Sequence, residues 1–137
     1  RARLQDIFTA YGISSIIDQG DILDLSPMMN DEGYDAIIRA TLDDGAVDIG
    51  IYSIVPETVM MNTCEKGERH REDMMAEGGI LSRLIDIKKG AKKPFVVSFE
   101  SGWKYNAFAK RLLEEGIPPF RSVDEAARTV AKCLRIL

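Results

Sequence analysis

Apolar residues recur at helical spacing in four stretches of the chain, and each stretch predicts an α-helix. The stretches are residues 30–43, 80–90, 105–116 and 122–134. Asn30 is expected to cap the first helix, and Ser122 and Glu125 have the pattern of a capping box at the start of the last. Gly116 is expected to end the third helix, and Gly90 to end the second in a left-handed conformation.

Three short apolar runs beside these helices predict β-strands. VDIGIYSIV (residues 47–55) is almost wholly apolar or small, which is typical of a strand buried on both faces of a parallel sheet. FVVSF (95–99) is the second run, and the prolines of IPPFR (117–121) suit an edge strand. Strands that alternate with helices predict right-handed crossovers and an α/β three-layer sandwich with a parallel sheet, either flavodoxin-like or Rossmann-like.

The size and the charge of the chain exclude some classes of protein. With 137 residues, of which 45% are hydrophobic, the chain is long enough to bury one core. Its net charge of -4 and its scattered basic residues argue against a nucleic acid partner. No apolar run approaches the ~20 residues that span a bilayer, so we expect no membrane association and a cytoplasmic location.

The cysteines and the one histidine do not have the spacing of a zinc site. We expect Cys64 and Cys133 to be free thiols, with Cys133 packed in the last helix. His70 lies in GERHRED, whose charges would keep it solvated. That interpretation is favoured over a phosphoryl acceptor or general base, because the sequence fixes no partner acid.

Two segments between the predicted helices and strands are candidates for function. Residues 56–79 form the longest one, and a connection of this length is expected to be functional, mobile or partly helical. The segment DILDLSP (residues 21–27) is typical of a strand end, from which Ser26 and Pro27 lead into the helix capped at Asn30.

Ligands of open parallel sheets bind beyond the carboxyl ends of the strands, where helix N-termini offer unpaired N–H groups. By that rule the candidate rim comprises Ser26, Pro27, Pro56, Glu57, Thr58, Glu100, Ser101 and Gly102. Each of these residues could instead serve only as a cap or in a turn. In ESGWKYN, either the backbone approaches a phosphate, or Ser101 or Gly102 opens a helix with Trp103 packed on its side. Neither GxGxxG nor GxxxxGKS is present.

Five segments, taken in order, resemble those of one family. They are DILDLSP, NDEGYDAIIRATL, VDIGIYSIVP, KPFVVSFESG and GIPPFRSVDEAARTVAKCLRIL. Together they resemble the last flavodoxin-like domain of the NDP-forming acyl-CoA synthetases, the ADP-forming acetate–CoA ligase group related to succinyl-CoA synthetase. That family commonly has NPLDLTP in place of DILDLSP. By this resemblance residues 1–12 are a connecting helix from a preceding domain and residues 13–137 are the ligase domain, cut from a longer protein as Arg1 suggests.

The resemblance implies an enzyme that makes an acyl-CoA from a carboxylic acid, CoA and a nucleoside triphosphate, through an acyl phosphate and a phosphohistidine. The implied partners are the CoA-binding, phosphohistidine and ATP-grasp domains of the parent enzyme. The parent's cofactors would be CoA, ATP or GTP, and magnesium, with none bound by this fragment. The phosphohistidine is expected outside this chain, so no residue here is assigned a catalytic role, and the fragment is expected to be inactive alone. Homo-oligomer formation stays open.

The same resemblance implies that this domain supplies a phosphate-facing or interface rim. Its residues would be Asp24, Ser26, Pro56, Glu57, Thr58, Gly78, Gly79, Glu100, Ser101 and Gly102. In the β subunit of succinyl-CoA synthetase a glycine pair directly follows the strand, whereas here the pair comes after the long connection. Either that connection folds back so that Gly78 and Gly79 present their N–H groups, or the phosphate contact is remodelled. The alternative function is a noncatalytic module of the same fold that senses a CoA ester or docks another protein.

Overall fold

A computed structural model describes residues 2–20 and 22–135. The helices in this part of the chain are α1 (Ala2–Ala10), α2 (Asp31–Leu42), α3 (Ile80–Gly90), α4 (Asn106–Glu114) and α5 (Val123–Leu134), with a short 3-10 helix (Trp103–Tyr105) before α4. The strands are β1 (Asp18–Gln19), β2 (Leu23–Asp24), β3 (Gly50–Ser53), β4 (Phe95–Ser98) and β5 (Pro119–Phe120).

A three-stranded parallel sheet confirms the predicted α/β class. Its strand order is β3-β4-β5, with Gly50 opposite Phe95 and Val97 opposite Pro119. β5 lies at an edge, as its prolines predicted. The strands β1 and β2 form a separate antiparallel pair.

The prediction for β3 is wrong in its extent and its burial. The strand covers only Gly50–Ser53, and while Gly50 is buried, Ile51 and Tyr52 are half-buried and Ser53 is exposed. The reason is that β3 lies at the other edge of the sheet, so a neighbouring strand protects it on one side only. The central strand β4, by contrast, is buried along its whole length.

Helices cover both faces of the sheet. Val97 and Phe99 of the central segment point into the larger core, where α2, α3 and α4 contribute Ile38, Leu84 and Phe108. Val96 points the other way, into a smaller cluster with Ala126 and Val130 of α5. This alternation is the two-residue period of a strand between two helical layers. α1 adds the buried Phe8 to the larger core, while its predicted role as a connecting helix stays a prediction.

Most of the predicted helix ends are confirmed. The Asn30 side chain accepts a hydrogen bond from the Gly33 N–H at 2.9 Å, and the Ser122 hydroxyl accepts one from the Glu125 N–H at 3.5 Å. Gly116 follows α4 with a φ of 72°. The prediction for Gly90 is wrong, because α3 includes Gly90 and the Ala91 N–H donates to the Ile87 carbonyl at 2.7 Å. With that carbonyl satisfied, no left-handed residue is needed.

Candidate functional site

The connection formed by residues 56–79, which we call the long loop, contains no helix, which excludes one of the three alternatives expected for it, a partly helical connection. The buried carboxylate of Asp31 fastens one part of it. Asp31 Oδ1 accepts from the Asn62 N–H and the Ile80 N–H, each at 3.1 Å, and Asp31 Oδ2 accepts from the Asn62 side-chain amide at 2.7 Å. The first residue of α2 therefore caps the N-terminus of α3 and holds the long loop against both helices.

A second carboxylate, that of Glu72, organises the middle of the long loop. Glu72 Oε2 accepts from the Thr63 N–H at 3.2 Å, the Thr63 hydroxyl at 3.0 Å and the Cys64 N–H at 3.1 Å. The Met74 N–H donates to the Cys64 carbonyl at 2.7 Å, and Thr63 and Met74 are buried. The long loop is thus hydrogen-bonded to itself and packed onto the core.

The outer side of the long loop forms one wall of a cleft of about 870 Å³. The opposite wall begins directly after β4, in the 3-10 helix. The cleft is lined by Glu57, Thr58, Val59, Met60, His70, Arg71, Glu72, Lys104 and Tyr105. Because β3 and β4 are parallel, the segments that follow them meet at the same edge of the sheet, and this places the cleft where the sequence predicts ligands to bind.

The cations that line this cleft are not paired with acids. Within the described part of the chain, the side chains of His70, Arg71 and Lys104 make no ion pair and no hydrogen bond. Of the two acids, Glu72 accepts hydrogen bonds from the long loop, and Glu57 is exposed. The lining therefore combines two unpaired cations, Arg71 and Lys104, with two carboxylates.

Two hydroxyl groups in the cleft also lack partners. Thr58 Oγ1 is buried and has no hydrogen-bond partner in the described residues. Tyr105 is 8% exposed, and its hydroxyl likewise makes no hydrogen bond there. Burial raises the pKa of Tyr105, and the charges of Glu72, Cys64 and Glu57 raise it further, so the hydroxyl keeps its proton. The Tyr105 hydroxyl can donate a hydrogen bond to a ligand in the cleft, whereas Thr58 Oγ1 is closed off from solvent.

The structure brings only part of the predicted rim into the cleft. Glu57 and Thr58 line it, while Pro56 is buried beneath, and its carbonyl, 2.8 Å from the Thr63 hydroxyl oxygen, shares the single hydrogen of that hydroxyl with Glu72 Oε2. Lys104 and Tyr105 were missed, although they stand in the quoted ESGWKYN segment just after a predicted strand. His70 is exposed in a charged loop, as predicted, and it lines the cleft as well.

The residues after β4 have several separate roles. Glu100 Oε1 accepts from the Val123 N–H at 3.3 Å, at the start of α5, and the Ser101 carbonyl accepts from Arg121 at 3.2 Å. Gly102 precedes the 3-10 helix, as the helix-opening alternative expected. Trp103 is 79% exposed, so the expectation that it packs on the side of a helix was wrong. Its position in the first turn directs the ring to solvent instead.

The glycine pair lies at the N-terminus of α3, and its surroundings are already occupied. The Gly79 N–H donates to the Ala76 carbonyl at 3.0 Å, and Asp31 accepts from the next N–H, that of Ile80. Gly78 has a φ of 76°, and its carbonyl accepts from Arg83. Neither the Gly79 nor the Ile80 N–H is therefore free for a phosphate.

Asp24 and Ser26 form a turn. Asp24 Oδ1 accepts from the Ser26 N–H at 3.0 Å, and Ser26 has a left-handed φ of 63°. Burial raises the pKa of Tyr34 to about 12, with a smaller contribution from the Asp24 charge, and the Tyr34 hydroxyl donates to the Ser53 carbonyl at 3.2 Å. These contacts place the turn beside the carboxyl end of β3. Asp21, the first residue of DILDLSP, lies outside the described residues.

The remaining chemical expectations concern thiols, metals and membranes. Cys64 and Cys133 are free thiols, as predicted, but Cys133 is exposed because Val130 is the last residue of α5 that the sheet buries. Residues 2–20 and 22–135 contain no group of three or more His, Cys, Asp or Glu side chains placed to hold a metal ion. Within the same residues, no helix has both the length and the apolar character needed to cross a bilayer.

The fold and this geometry define the chain as an α/β protein with a cleft at the carboxyl edge of a parallel sheet, lined by two unpaired cations and two carboxylates. No family model matches the chain, and comparison with curated proteins and with solved structures finds no similar protein.

Proposed function

We propose that the chain is the flavodoxin-like domain of an NDP-forming acyl-CoA synthetase, and that the carboxyl edge of its sheet docks against the phosphohistidine domain of the parent enzyme. The resemblance of five ordered segments supports this assignment. A parallel sheet with helices on both faces is consistent with a flavodoxin-like layered fold. In this role the domain positions a partner and carries no catalytic residue of its own.

The observation that carries the docking role is the exposure of large apolar side chains at that edge. Val59, in the segment after β3, is 99% exposed, and Trp103, in the segment after β4, is 79% exposed. Both lie beside or within the cleft. Apolar side chains left exposed at a functional edge are typical of a protein interface, and tryptophan is enriched among residues that dominate binding energy.

The phosphate contact is proposed to be remodelled in this chain. The Gly79 N–H is used inside the protein, whereas the N–H groups of Gly102 and Trp103 make no hydrogen bond within the described residues. We propose that these two groups, rather than the glycine pair, face the partner's phosphoryl group. CoA, the nucleotide and magnesium would be held by the other domains.

The gene provides the first test of this proposal. Upstream of Arg1 it should encode a glycine-rich segment that contains the phosphorylated histidine. Absence of that segment would contradict the proposal and favour the noncatalytic module that senses a CoA ester or docks a protein.

Activity of the complete enzyme provides the second test. The isolated chain should form no acyl-CoA and hydrolyse no ATP, while the complete enzyme does both. Trp103→Ala in the complete enzyme should lower acyl-CoA formation at least about tenfold by weakening the docking. Leu113→Ala, which removes an exposed apolar side chain on α4, is the matched control and should change the rate little. Acyl-CoA formation by the isolated chain would refute the proposal.

A further inference from the structure

We infer that the cleft between the long loop and the 3-10 helix is itself a binding site for a small phosphate-bearing molecule. The inference concerns the isolated chain and does not depend on the proposed domain interface. It goes beyond the expectation from the sequence that the fragment binds no ligand of its own.

The first observation is a set of basic side chains that have no protein partner. Arg71 comes from the long loop and Lys104 from the 3-10 helix, so the two charges enter the cleft from opposite walls. Neither side chain has an acidic partner or a hydrogen-bond acceptor in the described residues, and the imidazole of His70 is similarly free. Cationic side chains without a protein partner in a concave site are suited to bind phosphate oxygens.

The hydroxyl of Tyr105 is the second observation, and it is independent of the first. Tyr105 is more than nine-tenths buried and lines the cleft, and its hydroxyl has no hydrogen-bond partner in the described residues. A phosphate oxygen in the cleft can accept the hydrogen bond that this hydroxyl donates. Together with the charges of Arg71 and Lys104, this donor suits a phosphate dianion better than a carboxylate.

The acids of the cleft set the limits of this attraction. Glu72 directs its Oε2 to Thr63 and Cys64, so part of its charge is already balanced by donors. Glu57 is exposed and has no such donors in the described residues. Both carboxylates repel an anion, and Glu57 is expected to weaken anion binding more than Glu72 does. Val59 and Met60 add an apolar surface that suits a short hydrocarbon group on the phosphate.

Titration of the isolated chain with propyl phosphate, inorganic phosphate and butyrate tests the inference. Binding can be followed by calorimetry and by the fluorescence of Trp103, the only tryptophan, which precedes Lys104. Propyl phosphate should bind saturably, more tightly than inorganic phosphate and more tightly than butyrate. Raising NaCl from about 20 mM to about 300 mM should weaken binding, because salt screens the charges.

Charge-matched variants make the test specific to the cleft. The double variant Arg71→Gln and Lys104→Gln should lose at least about tenfold in affinity for propyl phosphate. Lys92→Gln with Lys132→Gln removes the same net charge from exposed residues outside the cleft and should change the affinity less than about twofold. Tyr105→Phe should weaken binding about fivefold, because the ring stays and only the donor is lost. Glu57→Gln should tighten binding about twofold.

Three results would overturn the inference, the third of them by refuting its phosphate ligand. One is the absence of saturable binding of propyl phosphate to the wild-type chain at low salt. Another is an equal loss of affinity in the two double variants, which would show attraction to net charge rather than to a site. Tighter binding of butyrate than of propyl phosphate would refute the assignment of a phosphate ligand. None of these results depends on acyl-CoA formation, so failure here is distinguishable from failure of the proposed ligase function.

Discussion

Polar groups on the two sides of the long loop have different surroundings. On the inner side, the carboxylate of Asp31 accepts three hydrogen bonds, and so does that of Glu72, which also reaches the lining of the cleft. On the outer side, which faces the cleft, the charged group of Arg71 has no partner in the described residues, and neither do the polar groups of Lys104 and Tyr105 on the opposite wall. The paired groups hold the loop in place, and the unpaired groups are those of the proposed ligand site. Substitutions on the two sides should therefore affect different properties.

Asp31→Ala should produce the largest loss of stability. It leaves the N–H groups of Asn62 and Ile80 without an acceptor and removes the cap of α3. We expect a decrease of about 3 to 4 kcal/mol in the free energy of unfolding, measured by urea denaturation. Asp31→Asn keeps an acceptor oxygen and should cost less. A loss below about 1 kcal/mol for the alanine variant would show that the inner side does not depend on this carboxylate.

Glu72→Ala should have the next largest effect, about 2 to 3 kcal/mol, because the N–H groups of Thr63 and Cys64 lose their common acceptor. The effect should be concentrated in the long loop. Hydrogen exchange of the Met74 amide, which donates to the Cys64 carbonyl, should accelerate more than exchange in β4. Uniform acceleration across the chain would argue against a local role for Glu72.

Alkaline pH tests a third paired group, the Tyr34 hydroxyl. Burial raises its pKa from 10.0 to about 12 in the folded protein, so the folded state holds its proton more tightly than the unfolded state does. The resulting stability is fully present below pH 10 and is lost as the pH rises through about 12. The loss should be on the order of 2 kcal/mol. Tyr34→Phe should lack this part of the alkaline transition, and an unchanged transition in that variant would contradict the assignment.

The smallest stability effect is expected on the outer side. The double variant Arg71→Gln and Lys104→Gln removes two side chains without partners, so its free energy of unfolding should stay within about 0.5 kcal/mol of the wild type. Thermal and urea denaturation would measure this. A larger loss would mean that these cations stabilise the fold, and the distinction between the two sides would fail.

Local signals explain what the sequence predicted correctly. Asn30 caps α2 through the Gly33 N–H, three residues away, and Gly116 ends α4 because its own φ is positive. In both cases the residues that determine the helix end lie within a few positions of it in the sequence. FVVSF is likewise a short apolar run, and the strand that it predicts, β4, is buried along its whole length.

Long-range contacts explain what the sequence did not predict. Asp31 lies in the first turn of its own helix, yet its carboxylate caps α3 through a residue 49 positions away. Lys104 enters the cleft only because β3 and β4 are neighbours in the sheet. β3 is short because it lies at an edge of the sheet, and Trp103 is exposed because no other element in the described part of the chain covers the first turn of the 3-10 helix. No local pattern carries that information.

The contact between Asp31 and the start of α3 also bears on the rate at which the cleft forms. Closing a segment of 49 residues is entropically costly, so this bond should form late, after α2 and α3 have packed. The long loop, and with it one wall of the cleft, would then be absent from the folding transition state. A ligand held in the cleft should therefore slow unfolding while leaving the refolding rate almost unchanged.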